Sequence, residues 1–152
     1  MNVADLKQKA ESGSVVAQSA LGICYLYGRQ VEVDYKEAFR LLSAATKGGA
    51  SRAVVNLARM FAEGLGIPRD VREAIRCYKA VEKVEIRARL ELARIYSQGL
   101  GVPADPKAAL RYYSAVATQE EALDDSITAA FVGTVTFGEI KEAKDYIAKH
   151  RR

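Results

Sequence analysis

This sequence predicts an all-α fold, a solenoid of three to four helical hairpin repeats, and two observations carry that expectation. The first is a motif that recurs at a nearly constant spacing. Ala17-x3-Leu21-Gly22-x2-Tyr25-x2-Gly28 is followed by Asp34 and Ala38. Ala53-x3-Leu57-Ala58-x2-Phe61-x2-Gly64 is followed by Asp70 and Ala74, and Ala88-x3-Leu92-Ala93-x2-Tyr96-x2-Gly99 by Asp105 and Ala109. From Ala17 to Ala53 is 36 residues, and from Ala53 to Ala88 is 35. Periods of this length mark stacked helical hairpins, each hiding its neighbour's apolar face. The second observation is that three separate helix-start signals, at Asp34, Asp70 and Asp105, fall at one repeat phase.

Taken in order, the chain opens with a helix over 3–11, read as the second helix of an incomplete hairpin and closed by a turn at Gly13 and Ser14. The first helices of the hairpins span 14–27, 50–63 and 85–98. In each, Ala, Leu and an aromatic residue stand four apart and share one face. Gly28, Gly64 or Gly99 then ends the helix, because glycine accepts a left-handed cap. The second helices span 35–47, 71–83 and 106–117. The aspartates before them can accept free backbone N–H groups. Asp34-Tyr35-Lys36-Glu37 and Asp70-Val71-Arg72-Glu73 resemble capping boxes, with Asp in the Ser/Thr place, and Pro106 suits the first helical position. Ala38, Ala74 and Ala109 sit one turn before Leu42, Tyr78 and Tyr113, an alternation of small and large side chains that lets two helices interdigitate. At a 34-residue offset Ala122, Gly133 and Ala143 keep the phase, but Ser126 and Ala130 stand where Leu and Tyr are expected. Helices at 120–132 and 139–149 are therefore read as a degenerate capping pair. Lys141, Glu142, Lys144, Asp145, Lys149 and His150 give it the polar face a terminal repeat needs. The expected organisation is one domain over 1–152: a half-repeat at 3–13, repeats at 14–49, 50–84 and 85–119, and a cap at 120–152.

Composition sets the outer bounds. The chain of 152 residues is 49% hydrophobic and 28% charged with only 3 Pro, which suits a packed core rather than disorder. No apolar run approaches the roughly 20 residues of a membrane span. Met1 to Lys9 lacks the apolar centre of a signal peptide, so a cytoplasmic location is the expectation; a chain whose export signal had been removed would read alike and be periplasmic or secreted. Cys24 and Cys77 are read as buried free thiols. A net charge of +4 favours an acidic partner without indicating nucleic acid.

The pattern A-x3-L-G-x2-Y-x2-G-x-G-V-x2-D-x3-A resembles the Sel-1-like repeat (SLR) family, a relative of the tetratricopeptide repeat. The third repeat follows it closely through Ala88, Leu92, Tyr96, Gly99, Gly101, Val102, Asp105 and Ala109. The second has Gly64, Gly66, Ile67 and Asp70, whereas the first carries Gln30 in place of the second loop glycine. Gly48, between hairpins, becomes Val84 and then Gln119. Trp, frequent in the family's second helix, is absent, and Leu41, Cys77 and Tyr112 hold that phase. The resemblance implies a right-handed α-α superhelix, a bacterial origin and an adaptor or scaffold role.

Sequence motifs for catalysis are scarce. There is a single histidine, His150, and there is no C-x-x-C, H-E-x-x-H, phosphate-binding loop or Ser-x-x-Lys. Gly64-x-Gly66 and Gly99-x-Gly101 are turns between helices with no preceding strand. Glu120-Glu121 and Asp124-Asp125 suit a helix N-terminus. The expectation is a non-enzymatic protein with no cofactor and no metal. By resemblance to tetratricopeptide arrays, the first helices line a concave face. There the expected partner-binding residues are Ile23 and Tyr27, with Arg52, Arg59, Arg87 and Arg94 recurring in phase. Arginine grips carboxylates through paired hydrogen bonds, so the expected partner is a protein with an acidic or extended segment. Arg40, Arg76 and Arg111 also recur, on second helices, and are read as a solvated outer face. An immunity or regulatory protein for a secreted effector, a self-associating envelope scaffold and a hydrolase remain as alternatives.

Overall fold

The computed structural model describes residues 2–119 and 134–151, and the helix expected at 120–132 lies outside them. Eight helices are present among the described residues: α1 (Val3–Glu11), α2 (Val15–Tyr27), α3 (Tyr35–Lys47), α4 (Ser51–Glu63), α5 (Val71–Val81), α6 (Ile86–Gln98), α7 (Pro106–Ala117) and α8 (Phe137–His150). Two compact units divide the chain, Met1–Cys77 and Tyr78–Arg152, with the boundary inside α5.

In the first unit α2 is the centre. It packs on α1, α3 and α4 and buries Ala17, Leu21, Gly22, Ile23, Cys24 and Leu26 among others. Gly22 permits the close approach of α3, since a Cβ built there would lie 2.8 Å from Leu42 Cγ. Leu42 and Ala38 are wholly buried. In the second unit α6 packs on α7, and α7 on α8. Their core contains Leu90, Leu92, Ala93, Ala109, Tyr113 and Val116.

The helix ends repeat one device. Gly28, Gly64 and Gly99 cap α2, α4 and α6 at φ 67°, 67° and 65°. Three residues before each cap, the carbonyls of Tyr25, Phe61 and Tyr96 accept the backbone N–H of Asp34, Asp70 and Asp105. Each aspartate then accepts the N–H three residues on, from Glu37, Glu73 and Ala108. These caps work in one direction. Glu37 and Glu73 turn instead to Arg40 and Arg76 on the next turn. A reciprocal capping box forms only at the start of α8 among the described helices, between Thr136 and Glu139. Gln30 is the one described non-glycine residue at positive φ, 61°, beside 70° and 71° for Gly66 and Gly101 at the same phase.

Candidate functional site

Tyr27 and Arg59 come together in the first unit. Tyr27, at the end of α2, donates its hydroxyl to Asn56 Oδ1 of α4 at 3.0 Å. Asn56 is buried and donates its Nδ2 to the Arg52 carbonyl at 2.9 Å. The amide is thereby held on both sides and fixes the phenol ring against α4. The Arg59 guanidinium lies over that ring, 5.0 Å from its centroid, an arrangement attractive through the ring quadrupole. Arg59 Nε also donates to Glu63 at 3.2 Å. Burial works against its charge, but Tyr27 and Glu63 outweigh that and raise its pKa above the ordinary arginine value. Arg52, about two helical turns earlier on the same face, is exposed and has no ion pair among the described residues.

Ile23 departs from the expectation of a partner-facing residue. It is only 4% exposed, as are, nearly so, Ser19 and Leu26 on the same side of α2. The physical reason is visible in the packing: α2 meets α4, so this side of a first helix is spent on the following first helix.

Arg87 and Arg94 depart in another way, because α8 covers them. The Arg87 side chain is 8% exposed. Its NH1 and NH2 donate to both carboxylate oxygens of Glu139, at 2.7 and 2.9 Å, and its Nε and NH2 to the Thr134 carbonyl, at 3.0 and 2.6 Å. Arg94 makes a second fork, Nε and NH2 to the two oxygens of Glu142, at 3.0 and 2.7 Å. Glu91 bridges the two arginines from within α6. Tyr113 of α7 donates its hydroxyl to Glu142 at 2.8 Å. Burial disfavours the Glu142 carboxylate, yet Arg94 and Tyr113 hold its pKa below the ordinary value. Burial and the Glu142 carboxylate push Tyr113 up to about 12. These arginines therefore face an internal ligand. The sequence signal that could have found it is Thr136-x-x-Glu139, a capping-box pattern that starts α8 and aims Glu139.

The arginines of the second helices are at the surface, paired within their own helix or against their own neighbour. Arg40 and Arg76 bond Glu37 and Glu73 one turn away, and Arg111 lies 4.8 Å over the Tyr112 ring. Cys24 and Cys77 are free and buried, and burial raises both thiols above their ordinary pKa. Among the described residues no group of three or more His, Cys, Asp and Glu side chains is placed to hold a metal ion. No described helix is long and apolar enough to cross a membrane.

Comparison with known proteins agrees with the geometry. The Sel1 repeat family profile matches residues 15–49, 51–80 and 86–120. The chain is similar to a Sel1 repeat protein from Oxalobacter formigenes, with a TM-score of 0.66, 31% identity, and coverage of 93% of this chain and 96% of that one. It is also similar to c5321, a protective antigen of uropathogenic Escherichia coli strains that displays an SLR fold, with a TM-score of 0.71 and 29% identity over 100% of this chain and 34% of that one. Among curated proteins, DAP3-binding cell death enhancer 1 of Rattus norvegicus is 34% identical over 74 residues, and that of Mus musculus 35%. The match takes in 49% of this chain but only 14% of the length of either relative. Three family repeats, each with its glycine cap and aspartate helix start in place, establish the conclusion that the chain belongs to the Sel1 repeat family.

Proposed function

We propose that this protein is a non-enzymatic adaptor that binds an acidic, extended segment of a partner protein on the Tyr27–Arg52–Arg59 surface of its first unit. Sel1 repeats are typically protein–protein interaction scaffolds, and one relative is named for binding another protein, DAP3. The observation that carries the reading is the contrast between two arginine pairs at one repeat phase. Arg87 and Arg94 are gripped by carboxylates of α8. Arg52 is exposed without an ion pair among the described residues, and Arg59 is held over Tyr27 and beside Glu63 of its own helix with its side chain 38% exposed. The chain thus displays, on one pair, the chemistry that the other pair offers to an outside ligand. A preset guanidinium loses less freedom on binding than a mobile one.

The test is a titration of isotopically labelled protein with extended peptides that alternate Glu and apolar residues. Amide shifts should centre on Tyr27, Arg52, Asn56 and Arg59. Arg52→Ala together with Arg59→Ala should weaken binding at least about tenfold, the loss of one or more charge-assisted hydrogen bonds. Shifts centred on other helices would move the surface, and indifference of every peptide to the double substitution would remove the acidic preference.

A further inference from the structure

A cavity of about 270 Å³ lies in the first unit among α1, α2 and α3. Leu21, Tyr25 and Leu41 line it on the apolar side, and Lys7, Glu11 and Arg40 on the polar side. It shares no residue with the Tyr27–Arg59 surface. Its meaning comes from the equivalent place in the second unit.

The equivalence rests on two contacts that recur. Lys7 lies over the Tyr25 ring at 6.0 Å, as Lys79 lies over Tyr96 at 5.7 Å. Gln18 donates to the Ala10 carbonyl at the end of α1, as Arg89 donates to the Glu82 carbonyl after α5. Leu41 therefore stands where Tyr112 stands. In the second unit Tyr112 fills the space: its ring is parallel to Tyr96, with 6.2 Å between centroids and 6° between planes. That is an offset stack, a favoured aromatic geometry. Arg111 lies 4.8 Å over the Tyr112 ring, and burial together with the Glu82 side chain raises the pKa of the Tyr112 phenol. In the second repeat Phe61, at the phase of Tyr25, also has an aromatic neighbour, Phe39, edge-on at 6.2 Å. Tyr25 has the lysine but, among the described residues, no aromatic partner. Leu41 is buried against α2 beside Gly22, where a built Cβ would come within 3.2 Å of the Leu41 Cβ. Leucine lacks the ring and hydroxyl that would cover Tyr25. The cavity remains, with Arg40 at the phase of Arg111, forked onto Glu37 on the same rim, and Glu11 beside Ala10, which has the phase of Glu82.

We propose that this cavity is a receptor for a tyrosine side chain of a partner protein, which stacks on Tyr25 and places its hydroxyl between Glu11 and Arg40. The site rests on the protein-binding reading of the chain, but not on which face holds the acidic segment. Its internal precedent is the Tyr96–Tyr112 pair of the same chain. The apolar floor and charged rim match a phenol, which is apolar along its ring and polar at its tip.

The experiment uses p-cresol, the tyrosine side chain itself, and N-acetyl-tyrosine amide as probes, with N-acetyl-leucine amide as the aliphatic control. Titration of the labelled chain is expected to shift the amides of Lys7, Leu21, Tyr25 and Leu41, with affinity on the order of millimolar for so small a ligand. Leu41→Tyr should fill the cavity, raise Tm and lose at least about ten-fold in p-cresol affinity. Lys7→Ala, at an exposed position, gives a second reading that does not disturb the core, and it too should weaken p-cresol. Shifts that centre elsewhere, equal response to the leucine control, or undiminished p-cresol binding in both variants would overturn the proposal. So would a fall in Tm on Leu41→Tyr with binding kept. Because no acidic peptide is involved, these outcomes are independent of the Arg52–Arg59 test.

Discussion

At the scale of single residues, equal chemistry has unequal weight, and burial decides it. Arg40 and Arg87 both pair with a glutamate. The Arg40 side chain is 65% exposed, and such a pair contributes about 0–1 kcal/mol. Arg87 is buried with its whole fork occupied. Arg87→Ala is expected to cost about 3 kcal/mol, because Glu139 and the Thr134 carbonyl lose their donors in a dry site. Arg40→Ala should change stability by less than about 0.5 kcal/mol. Denaturant unfolding of the two variants measures the contrast. Gln30 supplies the opposite sign. It holds a left-handed conformation that an L side chain adopts at a cost of about 1 kcal/mol, and it makes no hydrogen bond among the described residues. Gln30→Gly should raise stability by up to about 1 kcal/mol, readable as a higher denaturation midpoint at unchanged slope.

At the scale of elements, α8 is the informative one. Its docking depends on ionisation at both ends of the pH scale. The native Glu142 pKa is depressed, so its stabilising effect is present above the ordinary carboxylate value and is lost as pH falls through the lower native one. The native Tyr113 pKa is raised from 10.0 to about 12. Its contribution is therefore complete below pH 10 and disappears as pH climbs towards 12. The stability difference between the native chain and Tyr113→Phe is expected to shrink across that alkaline window. An unchanged difference would detach Tyr113 from the docking of α8. The first helices give a simpler expectation. Leu57 and Leu92 hold equivalent places, at 8% and 0% exposure. Alanine at either should cost about 2–5 kcal/mol, with Leu92 the larger loss.

At the scale of the whole molecule, the net charge of +4 should draw an acidic partner from a distance and add little once it is bound. Raising ionic strength from about 0.1 M to about 1 M shortens the screening length from about 10 Å to about 3 Å. Association with an acidic peptide should slow accordingly, while dissociation changes less, and stopped-flow kinetics at the two salt concentrations would separate them. The same scale shows how far the sequence reached. Repeat phase alone located all eight described helices, because caps and four-residue spacing are local properties of a helix. α3 and α7 begin and end at the expected residues; α5 stops two residues early, at Val81, and α8 starts two early, at Phe137.

The sequence by itself determined the repeat, its helices, its glycine and aspartate caps and hence its family, since each follows from short-range backbone chemistry repeated in phase. Tertiary structure alone decided what each face of those helices meets. Ile23 looked like a groove residue and is buried where α2 meets α4. Arg87 and Arg94 looked open and are closed by carboxylates 52 and 48 residues away in the chain. Leu41 looked like an ordinary core leucine, and only the packed neighbours reveal the space beside Tyr25. Periodicity fixes the direction of a side chain about its helix axis, but burial and pairing depend on a second element, and no local signal encodes the distance to it.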